Sequence, residues 1–139
     1  MNLYTIACLA GLLALCSCAS DTVRIESNSY YKNKRYKYKI SSERLAQCPI
    51  WDRREELNPP HSAAKALDQA EKFMTKIPAP KNQFWTLDEL ALEDFGEDHW
   101  AWRVTYSVGG IVRNNPQTMQ CWILMDGALL EPKITRYPN

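Results

Sequence analysis

The chain has few of the residues and motifs on which common catalytic and metal centres depend. It contains two histidines, His61 and His99, and no Cys or His pairs at the short spacing that structural zinc sites favour. It also has no phosphate-binding loop, dinucleotide-binding fingerprint, nucleophile-elbow sequence or internal repeat. We therefore expect no catalytic residues, no metal and no cofactor.

The chain also lacks a net charge of one sign. Seventeen Lys and Arg residues face sixteen Asp and Glu residues, so no overall field favours a nucleic-acid partner, and we expect none. The distribution is uneven, because residues 24–54 carry nine bases and three acids, whereas residues 88–98 carry six acids and no base. Three arrangements are consistent with these two blocks of charge. They are two surfaces that both contact solvent, two surfaces that contact each other within the fold, or charged surfaces that bind a partner.

Long hydrophobic runs are absent apart from one at the N-terminus. The uncharged stretch Leu3–Leu15 has thirteen residues. A helix that spans a bilayer needs about 20 apolar residues, so this stretch predicts an export signal rather than a permanent membrane span.

The residues that follow this stretch leave two alternatives for cleavage. The Leu-Cys-Ser triplet before Cys18 resembles a bacterial lipoprotein signal, in which the cysteine is lipidated and becomes the new N-terminus. Small residues at Ser17 and Ala19 instead suit ordinary cleavage after Ala19, which would give a secreted protein. We favour the first: residues 1–17 are a signal peptide and Cys18 anchors the protein to a membrane of the cell envelope, facing the periplasm or the exterior.

Two cysteines, Cys48 and Cys121, remain after the N-terminal segment. In an exported protein an isolated pair of this kind predicts a disulfide. Closing so long a loop would contribute about 4 kcal/mol in the chain-entropy model. The alternative is two buried thiols that pack as small hydrophobic groups. We predict the disulfide.

A single domain is predicted from residue 34 to residue 139, after a polar tether over residues 18–33. Lys34–Ile40 alternates tyrosines and an isoleucine with bases, which predicts a half-buried edge strand. Its basic face is also suited to anionic lipid headgroups, although the alternation needs no membrane to explain it. Residues 41–61 are interpreted as a linker, with Trp51 as a packing anchor.

One amphipathic helix follows this linker. Ser62 is suited to be its N-cap, and apolar residues then recur at helical spacing as far as Ile77. Asp68 and Lys72 are placed for an ion pair one turn apart, and Pro78 ends the helix.

The remaining segments predict strands. Phe84–Phe95 fits a strand or a capped helix, and we interpret it as a strand because strands follow it. Trp100–Val108 alternates cleanly, Met119–Met125 is apolar enough to be central, and Ala128–Leu130 follows an Asp-Gly turn. The predicted fold is α+β, with one amphipathic helix packed on a curled antiparallel sheet of about four strands.

This order of elements resembles a known family. The helix, the Trp100-x-Trp102-x-Val104-x-Tyr106 strand and the Ile123-Leu124-Met125-Asp126-Gly127 element are similar to small PepSY-like domains of bacterial envelope proteins, and more loosely to cystatin-like and NTF2-like sheets. The resemblance covers about residues 59–135. It implies an extracytoplasmic binding or inhibitory module, and it assigns no functional residue.

Two residues form a candidate binding surface. Arg103 and Trp122 both point away from the face that carries Trp102 and Ile123, so an open second face would expose an aromatic and cationic patch. We expect this patch to bind an envelope protein or peptide. The sequence thus favours a lipid-anchored, non-catalytic binding or inhibitory module. The alternatives are a structural accessory subunit of an envelope complex and a small secreted hydrolase.

Overall fold

Residues 22–109 and 117–137, which the computed structural model describes, fold into two antiparallel sheets and two helices. The elements are β1 (Val23–Tyr31), β2 (Lys34–Ser41), α1 (Ser42–Ala46), α2 (Ala63–Met74), β3 (Phe84–Asp94), β4 (Trp100–Gly109), β5 (Thr118–Leu124), β6 (Leu129–Leu130) and β7 (Lys133–Arg136). The predicted signal peptide and Cys18 lie outside the described residues.

The two sheets have different strand orders. The larger sheet has the order β3-β4-β5-β6, and the smaller has the order β1-β2-β7. The α+β class is therefore confirmed. Four of the predicted strands form the larger sheet, whereas the predicted strand Lys34–Ile40 forms β2 of the smaller one. A single curled sheet with one helix is only part of the structure, because the smaller sheet and α1 were not predicted.

Strand β1 corrects the predicted tether. Residues 23–31 pair along β2 in antiparallel register, and Ile25, Ser29 and Tyr31 are buried. Serines occupy two inward positions of this strand, Ser27 and Ser29, so no apolar alternation marks it in the sequence. The domain accordingly includes residue 23 instead of beginning at 34. Strand β2 is central in its sheet, where an edge was predicted.

The alternation predicted for β2 is confirmed. Tyr36, Tyr38 and Ile40 are buried, and the Tyr38 hydroxyl donates a hydrogen bond to the carbonyl oxygen of Gln120 in β5. The bases between them point outward. The smaller sheet therefore packs its apolar face towards β5 and leaves its basic face to solvent.

The segment predicted as a linker is held firmly against the larger sheet. Trp51 is buried, as expected, and its ring meets Trp100 edge-on, with the ring centroids 5.5 Å apart. Its backbone N–H donates to the carbonyl of Asp98 at 2.9 Å, and its indole N–H donates to the carbonyl of Glu56 at 3.0 Å. Trp51 therefore serves as the predicted packing anchor.

Helix α2 begins where its sequence predicts, but it ends at Met74 instead of reaching Pro78. The Ser62 hydroxyl accepts the Lys65 N–H at 3.4 Å, and Lys72 pairs with Asp68 at 2.6 Å on the exposed face. Ala66 and Ala70 are fully buried, and such small side chains allow a helix to lie close to the strands it covers. The helix contacts β4 and β5 most extensively.

The larger sheet carries the main core. Segment 84–94 forms β3 rather than a helix, and its register with β4 continues into β5. The β4 and β5 residues on the face towards α2 are buried: Trp102, Val104, Tyr106, Met119, Cys121 and Ile123. Strand β5 is buried on both faces from Cys121 to Leu124, which agrees with the central position predicted for it.

The β5–β6 turn is held by both helices. Arg44 of α1 contacts the Asp126 carboxylate at 2.5 Å, and Gln69 of α2 donates to the carbonyl of Gly127 at 2.6 Å. Gly127 has φ of +82°, and a Cβ there would lie 3.1 Å from the ring of His61. This position therefore requires glycine for both its backbone conformation and its space.

Cys48 and Cys121 are two free, buried thiols in the structure, so the predicted disulfide is not formed. Each sulfur has its own environment: the Cys48 thiol donates to the carbonyl of Arg44 at 3.7 Å, whereas Cys121 lies inside β5, paired with Val104. Burial raises the pKa of the Cys121 thiol to about 12, and burial also raises the pKa of Cys48. Both pack as small hydrophobic groups, the alternative considered above.

We expect Cys48 and Cys121 to resist alkylation in the folded protein, because burial and a raised pKa keep both thiols protonated and covered. After denaturation without a reductant, each should take up one alkyl group, as measured by peptide mass spectrometry. A Cys48–Cys121 bond would instead leave both unlabelled until a reductant is added.

We expect Gly127→Ala to lower the free energy of unfolding by about 2 kcal/mol. Two costs add here, because alanine would adopt a left-handed backbone conformation and its Cβ would crowd the His61 ring. Gly96→Ala is the matched control. It has the same φ of +82° but no atom within 4 Å of the added Cβ, so about 1 kcal/mol is expected. Urea unfolding measures both, and equal losses would contradict the close approach to His61.

Candidate functional site

The two residues of the predicted binding patch do lie together. Arg103 in β4 is directly opposite Trp122 in β5, so both side chains are on the same face of the larger sheet. This is the face away from α2, as the strand alternation indicated.

The face is not open at Trp122, which corrects the predicted patch. Trp122 is 6% exposed, its indole N–H donates to the Ser27 hydroxyl at 2.9 Å, and its ring lies 6.1 Å from that of Phe95. Strand β1 covers it. The sequence predicts a tether over residues 18–33, and a tether would leave Trp122 open.

Arg103 is committed to ion pairs with β3. Its guanidinium contacts Glu89 at 2.9 Å and Glu93 at 2.7 Å, and its Nε–H donates to Glu93 at 2.8 Å. Part of the acidic block is therefore neutralised within its own hairpin. Arg103 stabilises the β3–β4 pairing and has little capacity left for a ligand.

A cleft of about 440 Å³ lies beside the β1–β2 hairpin in the described part of the chain. It is bordered on one side by residues 28–31 of the edge strand β1, and on another by Gln117 and Thr118 at the start of β5. The complete lining is Asn28, Ser29, Tyr30, Tyr31, Lys32, Asn33, Lys34, Gln117, Thr118 and Tyr137. We call this cavity the hairpin cleft.

Local contacts fix the walls of the hairpin cleft. Lys32 and Asn33 have φ of 48° and 58°, the conformation of a tight two-residue hairpin turn. The Tyr137 N–H donates to the carbonyl of Asn33 at 2.8 Å, which brings the end of β7 to this turn. The Tyr31 hydroxyl donates to the carbonyl of Pro78 at 2.6 Å. The turn is thus held from two distant parts of the chain.

Two exposed tyrosines form the aromatic wall. Tyr30 is 47% and Tyr137 is 53% exposed, and their rings meet edge-on with centroids 5.1 Å apart. A tyrosine offers an apolar ring face and a hydroxyl for hydrogen bonding, and for this reason tyrosine is enriched at binding interfaces.

The polar groups of the hairpin cleft are largely free. Within residues 22–109 and 117–137, the side chains of Lys34, Asn33, Gln117 and Thr118 make no hydrogen bond or ion pair. Lys32 is engaged, since its ammonium lies 3.3 Å from a backbone carbonyl and over the Tyr31 ring. Among the described residues, no carboxylate lines the cleft. The cleft therefore suits a ligand that accepts hydrogen bonds, carries negative charge and packs on an aromatic ring.

The most strongly displaced pKa values belong to the core, away from this cleft. Burial raises the pKa of Tyr106 and of Cys121 to about 12, and burial also raises that of Tyr38. These groups stay protonated near neutral pH, and in that form they are weak nucleophiles and weak bases.

The two histidines serve the fold. His61 Nε2 lies 3.1 Å from the Gln69 side-chain oxygen, and its carbonyl accepts the Trp102 indole N–H at 2.8 Å. The backbone of His99 closes the β3–β4 turn by hydrogen bonds with Phe95 and Gly96. Among the described residues, no group of three or more His, Cys, Asp or Glu side chains is placed to hold a metal ion.

Comparison of the chain with protein-family models, curated proteins and solved structures finds no significant match. Neither α1 nor α2, the helices of the described residues, is long and apolar enough to cross a membrane.

Proposed function

We propose that the protein is an exported, lipid-anchored, non-catalytic binding or inhibitory module of the bacterial cell envelope, and that the hairpin cleft is its binding site. The export signal and Cys18 support the location. The PepSY-like resemblance supports an extracytoplasmic binding or inhibitory role. The observation that carries the proposal is the cleft itself, with its exposed tyrosine pair and free polar side chains.

An extended acidic peptide, supplied by another envelope protein, fits this cleft best. Strand β1 is at the edge of its sheet, so one row of its backbone N–H and C=O groups lacks a strand partner within the described part of the chain. Such an edge can pair with an added peptide strand. Lys34 supplies positive charge, and the Tyr30–Tyr137 pair supplies a surface for an apolar or aromatic side chain.

A second candidate function, a structural accessory subunit, is favoured by one observation. Phe84 is 67% exposed and Leu87 is also exposed on β3, which is an edge strand of the larger sheet. Exposed apolar side chains on a strand edge suit a permanent protein contact. This contact would be separate from the hairpin cleft.

Photo-crosslinking in the intact envelope tests the proposal. A photoreactive amino acid in place of Tyr137 should crosslink a discrete acidic peptide, because this side chain lines the cleft. Lys34→Glu should reduce the yield about tenfold or more, since it sets like charges against each other. Lys81→Glu, at an equally exposed lysine outside the cleft, should leave the yield unchanged.

The same reagent in place of Phe84 distinguishes the two candidate functions. A product at Tyr137 alone agrees with the cleft as the binding site. A product at Phe84 alone favours the accessory subunit. The cleft proposal is contradicted if no product forms at Tyr137, or if its yield is the same with Lys34→Glu.

A further inference from the structure

We infer that the outer face of the β1-β2-β7 sheet rests on anionic lipid headgroups of the membrane that carries the anchor. This surface, which we call the basic face, adjoins the hairpin cleft and shares Asn28 and Tyr30 with it. The inference rests on the lipid anchor in the proposed function, and the experiment below separates the two.

The strand register gathers cations on the basic face. Because the apolar residues of β2 point inward, Arg35, Lys37 and Lys39 point outward, and Lys133 of β7 lies directly opposite Lys37. The neighbouring outward positions hold Glu26, Asn28, Tyr30 and Thr135. Four cations thus share a surface with a single acid.

Little within the fold compensates these cations. Lys37 pairs with Glu26, and a hydrogen bond from Lys37 lowers the pKa of that carboxyl group. Arg35 donates to the neutral amide oxygen of Asn28 at 2.8 Å. The ammonium groups of Lys39 and Lys133 make no hydrogen bond or ion pair within the described residues. Three positive charges are therefore left for an external partner.

The chain connectivity argues for the membrane as that partner. Five peptide units separate Cys18 from Val23, where β1 begins. A fully extended chain of this length spans at most about 17 Å. The smaller sheet thus contains the first described strand after the anchor, and the anchor would keep the basic face at high local concentration beside the headgroups.

An aromatic side chain completes the surface. Tyr30 lies opposite Arg35 on the basic face, is 47% exposed and stacks edge-on with Tyr137. Tyrosines are enriched at the level of lipid headgroups because they are apolar at the ring and polar at the hydroxyl.

The exposed face of α2 has no such excess of positive charge, since Asp68 and Glu71 balance its lysines.

Lysine acetylation of the lipidated full-length protein tests the inference. The protein is reconstituted in phosphatidylcholine vesicles with or without phosphatidylglycerol, and the rate at each lysine is measured by peptide mass spectrometry. Lys39 and Lys133 should react at least about tenfold more slowly with the anionic lipid. Lys65, Lys76 and Lys81, all exposed elsewhere, should react at the same rate in both.

A double substitution tests whether charge causes the protection. Arg35→Gln with Lys133→Gln should weaken the binding of the basic face to the anionic surface about 25-fold, because each base there contributes about a factor of five, and should therefore remove most of the protection of Lys39. Lys65→Gln with Lys81→Gln removes the same charge from other surfaces and should change nothing. At 1 M salt, where the screening length falls to about 3 Å, the protection should disappear.

Equal rates in the two vesicles, or protection of Lys65, Lys76 and Lys81 instead, would overturn the inference. Protection of Lys39 by soluble poly-glutamate but not by the anionic lipid would also overturn it and would point to an acidic protein. Release of the protein from neutral vesicles would refute the lipid anchor but would leave the inference about the basic face to be decided. The rates on anionic vesicles, compared with those in solution, would still report on the basic face.

Discussion

The fold depends on how the backbone of Gln120 in β5 is satisfied. Strand β6 pairs only with Trp122 and Ile123 of β5, so it does not extend to Gln120. Side chains of the smaller sheet take the place of a strand beside Gln120. The Gln120 N–H donates to the Ser29 hydroxyl at 3.0 Å, and its carbonyl accepts the Tyr38 hydroxyl. A buried backbone group without a partner costs about 1–3 kcal/mol, so these contacts tie the two sheets into one structure.

The elements that could be predicted from the sequence are those with a strong apolar period. Helix α2, the inner face of β2 and strands β4 and β5 have strong apolar periods, and all four were predicted. Strand β1 was missed because its inward serines contribute hydrogen bonds rather than apolar surface. Strand β7 was missed because its four residues are all exposed and show no period. The predicted disulfide followed from the cellular compartment, which fixes no geometry.

The candidate site shows that strand alternation predicts which residues share a face but not which distant segment covers that face. Alternation placed Arg103 and Trp122 on one face correctly, but the strand that buries Trp122 lies about 95 residues earlier in the chain. The hairpin cleft combines the β1–β2 turn, the start of β5 and Tyr137, which only the tertiary fold brings together. Its local signal is the Lys32-Asn33 pair just before the alternating segment Lys34–Ile40, within the residues predicted as a tether. The basic face belongs to the smaller sheet and the hairpin cleft lies between that sheet and the start of β5, so the cleft exists only if the smaller sheet folds together with the larger one.

Native-state hydrogen exchange tests this cooperation most directly. If Gln120 joins the sheets as described, the slowest amides of β2 and of β4 should exchange with the same free energy, equal to that of global unfolding. A lower free energy for β2, while β4 stays protected up to global unfolding, would mean that the smaller sheet opens independently. That result would contradict the account, since the hairpin cleft and the basic face would then lie on a separately unfolding part of the protein.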